Sequence, residues 1–69
     1  SELSKALSDK NYNEMFKIAS DMLLVNPKDP QALNALVIYH IQKSEWGAAR
    51  LLLERAIEKN KAIAGLHNN

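Results

Sequence analysis

The chain has 69 residues, 46% hydrophobic and 25% charged, with nine Lys or Arg against eight Asp or Glu and no cysteine. That length holds at most one small domain, and the composition excludes a disordered polymer. A formal charge of +1 leaves no electrostatic footprint for nucleic acid or an anionic membrane, and without cysteine there are no disulfide staples or thiolate zinc sites.

Leu3, Ala6 and Leu7 recur at helical spacing and predict a short first helix. The opening "SELSKALSDK" lacks the cationic-then-apolar order of a secretion signal. After the polar break "SDKN" at 8–11, Tyr12, Met15, Ile18, Ala19, Met22 and Leu23 form a cleaner stripe. Asn13, Glu14, Lys17, Ser20 and Asp21 lie opposite, so a second amphipathic helix is expected. "NPKDP" at 26–30 ends it. Pro27 disfavours helix at Asn26, Asp29 is a good N-cap, and Pro30 suits the first helical position. Leu33, Leu36, Val37, Tyr39, His40 and Ile41 predict the third helix, and "KSE" at 43–45 breaks it. Trp46, Ala49, Leu52, Leu53, Ala56 and Ile57 predict the fourth, with Arg50, Glu54, Arg55 and Glu58 on its wet side.

Alternation of period two is absent, so the expected fold is all-α. Linkers this short force neighbouring helices into antiparallel hairpins. The longest apolar run, Ala35–Tyr39, falls far below the ~20 residues of a membrane span. No membrane insertion is expected; the chain reads as soluble, or as a soluble piece of something larger, with its compartment unassigned.

Tyr12 and Trp46 each follow a short polar break and stand 34 residues apart. When residues 7–23 are set against 41–57, 14 of 17 pairs agree in apolar or polar class, so 34 is the period to test. With that spacing the sequence resembles the tetratricopeptide repeat family, whose unit is a helix-turn-helix of 34 residues. Residues 30–63 match one complete unit. Leu33 and Leu36 take the large apolar places of its first helix, and Trp46 the aromatic place after the turn. Ala49 and Ala56 hold the small-residue sites of its second helix, with Leu53 at the bulky site between them. Residues 1–29 match a partial first unit, with Tyr12 at the aromatic place and Pro27 at the closing proline. Residues 64–69 look like a truncated third unit or a capping segment. The departures are specific. Val37 stands where Gly, Ala or Ser is usual, His40 where Tyr is usual, and Lys61 where the closing proline belongs. Met15 and Met22 occupy small-residue sites while Ala19 occupies the bulky one, a swap of sizes that preserves volume.

The resemblance implies a short right-handed α-solenoid in which each ring wedges into its hairpin and alanines let the backbones approach. It also implies a concave groove lined by the first helices of successive units, which holds a peptide or helix from another protein. By register, Gln31, Asn34, Ile38 and Ile41 of the second unit would face that groove. Ser4 and Leu7 would continue it from the first unit, and Asn68 from the third. One subset of the family clamps the terminal carboxylate of heat-shock chaperones. That clamp requires Asn at 4 and 35, Lys at 65 and Arg at 69, where this chain has Ser4, Ala35, Gly65 and Asn69. Chaperone-tail capture of that type is therefore not expected.

Catalysis has little support. His40 and His67 are the only imidazoles, and they lie outside any zinc-ligand spacing. With glycine only at 47 and 65, there is no phosphate-cradling loop. Glu54 and Glu58 lie beside Arg50 and Arg55 and read as a solvated ion-pair face. The lysines are scattered among acids, unlike a helix that reads nucleic acid. No enzyme, cofactor, metal or nucleic-acid role is expected. Ile57, Ile63 and Leu66 have no obvious cover, so the chain either belongs to a longer array or completes its core by self-association, as a homodimer or by helix exchange.

Overall fold

The computed structural model describes residues 1–68, with side chains through residue 58. It is all-helical, with α1 (Glu2–Ser8), α2 (Tyr12–Val25), α3 (Pro30–Gln42) and α4 (Trp46–Asn68). Each helix packs on the next in the chain. Phe16 in the first half of α2 meets Tyr39 in the last turn of α3, ring centroids 4.5 Å apart, as an antiparallel pair requires.

Local chemistry fixes the ends. Ser1 caps α1, its side chain accepting from the Ser4 amide. Asn11 does the same for α2 through the Glu14 amide. At α3 the Asp29 carboxylate accepts from the amides of Gln31 at 2.9 Å and Ala32 at 3.3 Å, and Pro30 follows at once. A cap of this kind contributes about 1 kcal/mol. Asp29→Ala is expected to lower stability by about that amount, read as a reduced midpoint in thermal melts, while Asp29→Asn retains most of it.

The 34-residue period reappears in the backbone. Helix α1 ends at Ser8 and α3 at Gln42; α2 starts at Tyr12 and α4 at Trp46. Both intervening turns carry a left-handed residue, Lys10 at φ 56° and Ser44 at φ 59°. Their hydrogen bonds match pair for pair. The Lys10 amide donates to the Leu7 carbonyl and the Asn11 amide to Ala6; the Ser44 amide donates to Ile41 and the Glu45 amide to His40. This is the Schellman closure of a helix end, in which a left-handed residue satisfies the last carbonyls. Glycine takes that conformation without the steric cost of a side chain. Ser44→Gly is accordingly expected to raise stability by up to about 1 kcal/mol in chemical denaturation.

The period stops where the sequence departs from it. Asn26 is extended before Pro27 and ends α2. The corresponding pair is Asn60 and Lys61, and without the proline α4 runs on to Asn68. The boundary expected at 63/64 is therefore not marked by a turn. The side chains of Ile63, Leu66 and Asn68 lie outside the described residues.

The core joins Ala6, Met15, Ala19, Ala32, Ala35 and Leu36. Met15 and Ala19 are both fully buried despite their exchanged sizes, and Leu33, Val37 and Ala49 are buried as well. Tyr12, Ile18, Met22, Leu23, Ile38 and Leu52 pack around this core. Four alanines in it allow close helix approach, and the flexible thioether of Met15 fills what they leave.

The expectation of two matched ring wedges is not met. Tyr12 is half-buried against the core, whereas Trp46 is 63% exposed and locks nothing. Leu53, expected at a bulky buried site, is 50% exposed, and Ile57 is 54% exposed. Tyr12 shares its face of α2 with Phe16, whose ring meets Tyr39 of α3 on one side. Among the described residues no helix follows α4 to cover the corresponding face. Ala49 and Ala56 do turn inward, buried and half-buried respectively.

Candidate binding groove

Helices α1 and α3 lie beside each other over α2 and enclose a shallow groove of about 200 Å³. Leu3, Ser4 and Leu7 form one wall, Gln31, Asn34, Ala35 and Ile38 the other, and Met15 of α2 lies between them. The helical period produces this arrangement: 31, 34, 35 and 38 share one face of α3 while Leu33, Leu36 and Val37 turn away into the core.

Of the seven residues placed on the groove by register, Ser4, Leu7, Gln31, Asn34 and Ile38 line this one surface, and the side chain of Asn68 lies outside the described residues. Ile38 both lines it and packs on the core. Ile41 does not line it and is exposed, because it stands at the edge of that face beside the α3–α4 turn. Leu3, Met15 and Ala35 belong to the groove although the register left them out. Leu3 is signalled by its spacing of four from Leu7, and Ala35 by its spacing of four from Gln31. Met15 carries no such signal, since it enters from a third helix.

None of the lining residues is charged. Gln31 and Asn34 are exposed, and among the described residues their side-chain amides make no hydrogen bond to the protein. Ser4 is partly engaged, its hydroxyl 3.1 Å from that of Ser1. The surface thus offers apolar contact from Leu3, Leu7 and Ile38 above the buried Met15, together with the amides of Gln31 and Asn34. At about 200 Å³ it is smaller than the roughly 300–1,000 Å³ of small-molecule pockets. It has room for a few side chains of a longer ligand.

The other polar features do not converge on chemistry. Between α1 and α2 a concavity of about 300 Å³ carries Glu2, Lys5, Asp9 and Glu14, opposite charges interleaved. No group of three metal-ligating side chains occurs among the described residues. His40 is half-buried, its Nδ1 2.9 Å from a Glu45 carboxylate oxygen across the α3–α4 turn. The Lys43 ammonium donates to the Tyr39 hydroxyl at 3.1 Å, and this contact raises the Lys43 pKa above its usual value. These contacts brace the turn. Among the described residues no helix is long and apolar enough to cross a membrane.

Comparison with known proteins found no matching family model, no matching curated protein and no matching solved structure.

Proposed function

We propose that this chain is a protein–protein interaction scaffold of tetratricopeptide type, a short right-handed α-solenoid that does not act as an enzyme. Its ligand is a peptide or helix of another protein, held in the groove between α1 and α3. The observation that carries this reading is the convergence of Ser4, Leu7, Gln31, Asn34 and Ile38 on one concave, uncharged surface. The equivalent turns at Lys10 and Ser44, 34 residues apart, support the repeat on which it depends.

The lining sets the chemistry of the ligand. Apolar side chains would insert between Leu7 and Ile38, and the amides of Gln31 and Asn34 would pair with the ligand backbone. Lacking any cation, the groove has nothing to hold a terminal carboxylate, so an internal, uncharged segment suits it better. Panning a display library of peptides against the chain tests this. The enriched sequences should be apolar and neutral at their centre. Added to isotope-labelled protein, they should shift the amide resonances of residues 3–7 and 31–38. Failure to enrich, or shifts confined to α4, would defeat the reading.

A further inference from the structure

The α3–α4 turn is braced in a closed form, yet its residues also suit a helix. Among the connections, 26–30 carries Pro27 and Pro30, which bar a continuous helix. At 9–11 the Asn11 side chain caps α2 through the Glu14 amide, so straightening that turn forfeits a cap. At 43–45 the residues are Lys, Ser and Glu, with neither proline nor glycine. Ser44 stands at φ 59°, where a residue with a side chain is strained. The Glu45 carboxylate, just before α4, turns back to His40 Nδ1 at 2.9 Å. Among the described residues no side chain accepts from an amide in the first turn of α4. We propose that α4 exchanges between two copies of this chain, the turn straightening so that α3 and α4 become one helix.

Segment 43–45 is thus a hinge with two settings. Straightening releases Ser44 from the left-handed region. The amides of Ser44 and Glu45, bonded in the closed turn to the Ile41 and His40 carbonyls, simply trade those carbonyls in a helix. The amides of Trp46, Gly47 and Ala48, without helical partners at the start of α4, gain the carbonyls of Gln42, Lys43 and Ser44. What is forfeited is the His40–Glu45 contact. Residues five apart stand about 140° apart around a helix axis, so that contact belongs to the closed turn alone. Tyr39 and Lys43, four apart, stay paired in both settings.

The occupant follows from what an opened α4 leaves behind. Leu33 and Val37 are buried on α3 and Ala49 on α4, and the two helices pack together. The α3 of a second copy presents the same surface to α4, residue for residue. Because α4 packs antiparallel to α3, the two straightened helices also lie antiparallel, about a two-fold axis at the hinge. That axis brings Lys43 of one copy level with Glu45 of the other, opposite charges. The groove is built from α1, α2 and α3 alone, all before the hinge. Exchange therefore yields a dimer with two complete grooves; this consequence, unlike the exchange itself, rests on the ligand-binding reading above.

The chain has no cysteine, so spin labels on a Q31C/R55C variant, at two exposed positions, report on the hinge. In the closed hairpin the labels sit on adjacent helices; on one straightened helix they stand about 36 Å apart along its axis. Labelled chain is diluted into excess unlabelled chain at about 1 mM total, warmed and cooled slowly, and the distance within one copy is read by double electron–electron resonance. The proposal expects the long distance to grow with the dimer fraction seen in sedimentation equilibrium. S44G relaxes the closed turn and weakens the helix, and should raise the dimer dissociation constant at least about tenfold. E45A removes the contact to His40 and favours helix, and should lower it at least about threefold. Monomer mass throughout for both the unmodified chain and E45A, a dimer that keeps only the short distance, or a dimer indifferent to S44G would each overturn the proposal. I38E should leave the exchange unchanged while peptide capture is lost, so failure of the groove reading is distinguishable from failure of the exchange.

Discussion

Leu33→Ala is expected to leave a substantial fraction of the chain unfolded at room temperature. Leu33 is only 1% exposed and is one of the two largest fully buried side chains. Truncating such a leucine costs about 2–5 kcal/mol, the lost transfer free energy plus that of the cavity. A chain of 69 residues has on the order of 3–10 kcal/mol of total stability, so this one change removes a large share of it. The value should fall toward the upper end, because α3 is packed on both sides, by α2 and by α4, and has little freedom to collapse into the gap. Urea titration followed by far-UV circular dichroism measures the loss. Leu24→Ala is the control, since Leu24 is 84% exposed and its replacement should change stability by less than about 0.5 kcal/mol. Equal losses at the two positions would contradict the assignment of the core.

Ile38→Glu should abolish peptide capture while leaving the fold intact. Ile38 is half-buried at the rim of the groove, so a glutamate there can reach solvent, and a stability cost of about 1 kcal/mol is expected. The same carboxylate would stand among Leu3, Leu7 and Met15, with no cation lining the groove to pair with it. An inserted apolar side chain would have to desolvate it, and affinity should fall by at least about 30-fold, or roughly 2 kcal/mol. Ile41→Glu supplies the contrast. The two isoleucines are close in sequence and alike in chemistry, yet Ile41 does not line the groove. Its replacement should change affinity less than about threefold. Titration of a display-selected peptide by calorimetry distinguishes the two. Comparable losses at both positions would place the ligand elsewhere on α3, and no loss at Ile38 would remove the groove from the proposed function.

The helices, and their ends apart from that of α4, were legible because their signals are local. Asp29 and Pro30 start α3, Pro27 ends α2, and the breaks at 8–11 and 43–45 fall where α1 and α3 stop. Most of the groove was legible too, since a 34-residue register and a helical period together place Ser4, Leu7, Gln31, Asn34 and Ile38 on one side. The reading failed where it depended on what lies across a helix. Trp46 and Leu53 have the residue types and spacing of buried positions, yet burial is a property of the neighbour. Tyr12 packs against the core; Trp46 has no helix following α4 to cover it among the described residues. Met15 was missed in the groove because side-chain spacing along α1 and α3 carries no information about the floor supplied by α2.

By itself, the sequence determined four helices, the Asp29 cap, the short turns between helices and a period of 34, because each arises from contacts within a few residues and from the 3.6-residue helical turn. The tertiary structure alone decided which apolar faces are closed and which remain open. It put Ile38 in the groove and Ile41 outside it, and it left Trp46, Leu53 and Ile57 exposed along α4. The physical reason is that hydrophobic burial is non-directional: an apolar stripe states that a helix needs a cover, and only the packed chain shows whether it has one.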